Sequence, residues 1–349
     1  MKQISENNVY NKKSKKIMNL NYFKIQYHLV LVFAIAMWTS FKAQAQPVPS
    51  IEENIPFLVT FGPKAETLWG DNDFSQIWFF QVPETYKGLV YIRVFDPDVG
   101  GMYDEVNGVF DTRMLYSVYG GKDSFTHPDM KEVNPKKNYK TGNLLASKVF
   151  GVDSKFDNNW YTFGPFDPTK GEYYPRYGSY IFKVICEGIE GDDGNMYRYF
   201  MSTSATENIP IEGGNAFTYE YTFRLHNDPK QISHIYPYVD TDVIKIKTEN
   251  FDWDNDGNIR VTSEVRREQM INVSGDNVWA TTEFYIKDEE KGKSLDFQFI
   301  KRTNPVVNNN NVVITVRNQY GELMKFYSSP IGGVPKFKYT IDVQKKPKQ

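Results

Sequence analysis

Four carboxylates fall within ten residues at Asp96-Pro97-Asp98-Val99-Gly100-Gly101-Met102-Tyr103-Asp104-Glu105, directly after the strand-like run Val90 to Phe95. The glycine pair lets the backbone turn tightly enough for such side chains to face one another. Calcium takes roughly six to eight oxygens from carboxylates, amides and carbonyls on flexible loops. Two more segments have the same character. Asp71 and Asp73 lie in Trp69-Gly70-Asp71-Asn72-Asp73, and Asp192 and Asp193 lie in the acidic, glycine-rich run 187–195. The chemistry implied is calcium binding by Asp96, Asp98, Asp104 and Glu105 together with one of the other two pairs, because clustered carboxylates repel unless a cation or hydrogen bonds neutralise them. The competing reading is that these residues only make turns, their side chains capping nearby backbone groups.

A fourth acidic run, Asp252-Trp253-Asp254-Asn255-Asp256-Gly257, matches the first half of a helix-loop-helix calcium loop. Its twelfth position is Ser263, where a bidentate Glu is required, and the flanks alternate like strands. A hairpin turn at 255–258 is therefore expected in place of a cation site. Catalytic patterns are sparse. Once a leader holding His28 is removed, the imidazoles are His127, His226 and His234, in no nucleophile or metal-ligand pattern, and there is no GxSxG. Paired acids could serve a glycan hydrolase, but spacing along a chain does not fix their separation, and a non-enzyme is expected. The aromatic segment holding Trp160, Tyr161, Tyr173, Tyr174 and Tyr177 admits two readings, a platform for sugar rings or packing at the end of a sandwich.

The elements that must position these groups are strands. Val90, Ile92 and Val94 share a face, as do Tyr219, Tyr221 and Phe223, then Ile244 and Ile246, Leu295, Phe297 and Phe299, and Phe337, Tyr339 and Ile341, each set alternating with polar residues. This period of two marks half-buried antiparallel strands. With 16% aromatic residues, 24 Gly and 18 Pro, it predicts an all-β fold of two tandem antiparallel β-sandwich domains. Residues 46–225 form the first, with the acidic loops, 226–238 a linker bracketed by Pro229 and Pro237, and 239–349 the second. The run 308–311 is expected to be a hairpin loop. The single cysteine, Cys186, shares a face with Tyr180, Phe182 and Val184 and is expected to be a buried small hydrophobe.

Residues 29–45, LVLVFAIAMWTSFKAQA, read as a secretory signal h-region with a small-residue cleavage site at Ala43-Gln44-Ala45. The apolar run to Trp38 is too short for the roughly 20 residues that a membrane helix needs, so no transmembrane segment is expected in the mature chain. Residues 1–45 are thus a leader, with translation starting at Met1 or at Met18. The leader carries seven Lys and one Glu, so its removal takes the net charge from −2 to −8. That acidity argues against nucleic acid as a partner.

The strings WGDNDFSQIWFF, YIRVFDPDVGGMYDE, EGIEGDDGNMYRYF, EEKGKSLDFQFIKR and NQYGELMKFYSSPIGGVPKFKY resemble the N-terminal all-β region of Gram-negative envelope proteins classed with the outer membrane protein A family. The resemblance covers nearly all of residues 51–343. In that group a peptidoglycan-binding α/β domain follows. This chain departs from the pattern in stopping at Gln349, so that activity is not carried over, and the resemblance implies no catalytic residue. The first domain is more loosely similar to the prepeptidase C-terminal jelly roll. Together these imply an exported, non-catalytic envelope module in the periplasm, at the outer membrane or on the cell surface, stabilised by calcium, whose partner is an envelope protein or a glycan. A carbohydrate-binding module is the alternative. The signal sequence predicts a mature N-terminus at Gln46, and mass spectrometry of the envelope fraction that finds residues 33–45 retained overturns it.

Overall fold

A computed structural model describes residues 46–131 and 137–338; the expected leader, and all but the first residues of the strand expected over 337–341, lie outside them. The described chain is all-β: it holds strands and short 3₁₀ turns, with no α-helix. No helix among the described residues is long and apolar enough to cross a membrane.

The backbone of the architecture is one long sheet of nine strands. From edge to edge it runs Trp279–Tyr285, Lys245–Phe251, Asn311–Asn318, Glu220–Arg224, Phe57–Phe61, Gly194–Ser202, Val90–Phe95 and Trp160–Phe166, with Pro47–Val48 also paired to Gly194–Ser202. A first cover sheet comprises Phe326–Tyr327, Asn215–Thr218, Ser75–Pro83, Ser179–Glu190, Arg113–Gly120 and Asn143–Phe150, with Glu172–Tyr174 beside Ser179–Glu190. A second comprises Ile232–Ile235, Asp296–Lys301, Gly257–Thr262 and Gln269–Ile271. Every pairing in these sheets is antiparallel, as the alternation requires.

Strand Glu220–Arg224 shows why two cover sheets fit on one floor. Tyr221 and Phe223 point to the same face because side chains alternate along a strand. Tyr221 meets Trp78 of the first cover edge to face, with ring centroids 5.2 Å apart. Phe223 meets Phe299 of the second in the same way, at 5.1 Å. All four rings are buried in one continuous core. Each such pair adds about 0.5–1.5 kcal/mol beyond the area it buries.

The hydrogen-bonded sheet is continuous across residues 226–238. Asn311–Asn318 pairs with Glu220–Arg224 in the register Glu220↔Thr315 to Arg224↔Asn311, and Phe326–Tyr327 joins the first cover sheet. The expected linker itself contains strand Ile232–Ile235. The sandwich halves therefore share one sheet, since alternation along a sequence marks strands and a face but not their partners. Two expected hairpins are corrected for the same reason. Residues 308–311 and 255–258 lie where the chain crosses between the second cover sheet and the long sheet. Cys186 is fully buried, and burial pushes its thiol up to about 12.

Because Tyr221 and Phe223 seat the two covers on one strand, Phe223→Ala should destabilise the protein by about 3–5 kcal/mol, and urea unfolding of the native protein should be one transition by tryptophan fluorescence and circular dichroism alike. Two separated transitions would show that the halves unfold independently.

Candidate cation site on the acidic loops

Strand Val90–Phe95 ends at Asp96, whose left-handed backbone (φ 57°) turns the chain off the sheet. Asp96 and Asp98 are buried side chains that face the 153–159 loop. Asp96 Oδ1 accepts the Asn158 N–H at 2.9 Å, and Asp98 Oδ2 accepts the Asp153 N–H at 3.2 Å. Asp157 of that loop stands against Asp98. A Cβ on Gly100 would lie 3.3 Å from Asp157 Oδ1 and 3.9 Å from Asp98 Oδ2, so the glycine backbone passes tightly over both carboxylates. Gly101 completes the turn at φ 73°, a conformation that disfavours side chains.

Asp98 Oδ1 is buried and meets no donor. Buried polar atoms are nearly always satisfied, so this orphan oxygen demands an account. Beside Asp157, a shared proton, a bound water or a cation can supply it. Burial first, then the neighbouring Asp157 and Asp96 charges, raise Asp98 to about 7. Burial raises Asp96 to about 6. Asp104 is also raised, by burial and then by Asp96 and Asp98, although its oxygens accept the Gly100 and Met196 N–H groups, each at 2.7 Å.

The remaining acids divide by what already satisfies them. Glu105 forms an ion pair with Arg224, which projects from strand Glu220–Arg224. Asp193 accepts N–H groups from Asn107 (2.9 Å), Asp111 (2.8 Å) and Thr112 (3.1 Å), and Asp192 accepts Asn107 Nδ2 at 2.9 Å. The 96–105 loop and its continuation are thereby bound to the 192–193 turn, one of the two partners expected from the sequence. Asp111, Asp192 and Asp193 each place an oxygen within 4.8 Å of the others. Asp71 instead accepts from Phe61 (2.8 Å), Phe74 (3.0 Å) and Asp73 (3.3 Å), and Asp73 from Ser75 (3.0 Å). That is turn-capping of the kind Asp and Asn favour.

Asp252 and Asp254 gather with Asp276, an oxygen of each lying within 4.8 Å of the others. The helix-loop-helix pattern is not what assembles them, because Ser263 Oγ donates to Glu290 at 2.7 Å. Asp252, Asp254 and Asn255 all adopt left-handed backbone (φ 58°, 53° and 54°), which curls the chain around its own carboxylates. Burial raises Asp252 to about 7. A cavity of about 370 Å³ opens beside these acids, and another of about 450 Å³ beside Asp104 and Asp192; both reach Trp69, Glu105 and Asn309. Sequence reading missed Asp157 and Asp276. Each is a single acid in an Asn-containing turn, remote in sequence from its partners.

The aromatic segment is divided. Trp160 packs on Phe95 at 5.4 Å with the Arg93 guanidinium 5.0 Å above its ring, and Tyr161 packs on Phe163 and Phe150. Tyr173 is exposed and donates to Glu84 at 2.6 Å. Tyr174 and Tyr177 stand together, ring centroids 4.7 Å apart, at a separate cavity. Comparison with protein-family models and with curated proteins gave no match.

The raised carboxyls fix a sign for pH dependence. An Asp near 7 when folded and near 3.9 when unfolded holds its proton in the native state, so its contribution to stability is full at about pH 4 and is lost as pH rises to about 7. In chelator, the melting temperature of the native protein should therefore fall between pH 4.5 and 7.5 relative to that of Asp98→Asn, by several degrees. Parallel curves for the two proteins would show that Asp98 ionises without cost.

Proposed function

We propose that this chain is an exported, non-catalytic β-sandwich module of the bacterial envelope, which acts by interaction and whose loops are set by calcium. The observation that carries the calcium reading is the Asp98 carboxylate, buried with an oxygen that meets no donor, against Asp157. Calcium suits such a site, since it takes carboxylates and backbone carbonyls in irregular loop geometry. Asp96 and Asp104 stand close enough to add charge, and Gly100 and Gly101 leave the carboxylates uncovered by side chain. Envelope location rests on the signal-like leader and on the sequence resemblance. An interaction role fits a chain whose loops are tied to a rigid two-layer scaffold, the usual platform for binding loops. The partner is an envelope protein or a glycan.

Calcium that binds only the folded state stabilises it by about 2.7 kcal/mol at a hundredfold excess over the dissociation constant. Thermal melting in millimolar calcium and then in excess chelator should show a higher midpoint with calcium. Asp98→Asn and Asp157→Asn should each remove most of that difference while raising the midpoint in chelator at pH 7. An unchanged midpoint in the native protein, or a calcium shift that survives both substitutions, overturns the site.

A further inference from the structure

Strand Asn311–Asn318 links two different environments. Asn311 lies beside the acidic loops, while Arg317 and Asn318, roughly 20 Å along the strand, border a cavity of about 410 Å³. That size falls within the roughly 300–1,000 Å³ of small-molecule sites. Its walls carry Tyr174, Tyr177, Tyr219, Arg176, Asp240 and Lys325. The Lys325 ammonium stands 5.7 Å from the Tyr177 ring centroid and 5.9 Å from that of Tyr219. No described residue accepts a hydrogen bond from it or pairs with it. Arg176 holds Asp240 at 2.9 Å, yet its side chain remains 64% exposed and keeps donors to spare. On the same wall Glu322 accepts Asn318 Nδ2 at 3.0 Å.

We propose that this cavity binds a carboxylate-bearing sugar. Lys325 and Arg176 take the ligand carboxylate, Asp240 and Glu322 accept its hydroxyls, and the Tyr174 and Tyr177 rings pack against its C–H face. The mixture of charges selects among ligands. A compact inorganic anion meets Asp240 and Glu322 as like charges, a cation meets Lys325, Arg176 and Arg317, and a neutral sugar leaves the Lys325 ammonium unmatched in a half-buried place. A sugar acid offers something to each wall. The site is separate from the acidic loops, so its failure leaves the calcium reading standing, and the reverse.

The test uses the full chain, titrated with D-glucuronate, D-glucose and inorganic phosphate by calorimetry and saturation-transfer NMR. Saturable glucuronate binding is expected, at least tenfold tighter than glucose or phosphate. Lys325→Met should weaken it tenfold or more. Arg176→Gln changes an exposed side chain and should weaken it severalfold, which keeps the question decidable if Lys325→Met does not fold. The proposal is overturned by no saturable glucuronate binding, by glucose or phosphate binding equally well, or by folded variants that bind as the native protein does.

Discussion

The alternation of strand Glu220–Arg224 is the constraint on which the rest depends. Its inner side chains, Tyr221 and Phe223, each seat one cover sheet. Its outer side chains meet the acidic loops: Arg224 neutralises Glu105, and the half-buried Glu220 lies near Asp71 and Asp73. A one-residue slip of this strand would exchange those faces, placing charge between the sheets and rings beneath the loops. Its pairings on either side, to Phe57–Phe61 and to Asn311–Asn318, hold it in register.

Loop chemistry follows from that anchoring. Backbone N–H groups already satisfy Asp193 and Asp71, so these acids shape their turns. Asp98 differs because the backbone reaches only one of its oxygens. The distinction rests on how many donors each carboxylate finds, not on how many acids lie nearby. Buried carboxylates with both oxygens satisfied and one with an orphan oxygen thus occur in the same acidic loops.

Much of this was legible in the sequence. Alternation located strands at 90–95, 220–224 and 296–301, and the all-β class with them. The density of acids at 96–105 pointed to the loop that holds Asp98. What stayed hidden was long-range. Nothing local says that Asp157 faces Asp98, that Asp276 completes a cluster with Asp252, or that Asn311–Asn318 pairs with Glu220–Arg224 across a proline-bracketed segment. The crossings at 255–258 and 308–311 carry turn residues as a hairpin would, and only the sheet to which each next strand belongs tells them apart. Of the aromatic segment, Tyr174 and Tyr177 stand together, whereas Trp160 packs on Phe95 and Tyr161 on Phe150.

The lone thiol has a practical meaning. Cys186 sits with no exposure in the layer between the long sheet and its first cover, its proton held by the apolar surroundings. Only the thiolate attacks disulfides or alkylating reagents, so in the closed molecule this sulfur is nearly inert. Covalent dimers and oxidised forms would then have to arise through opened molecules. The rate at which a thiol reagent consumes Cys186 becomes a clock for separation of the two layers, built into the chain at one position and needing no label.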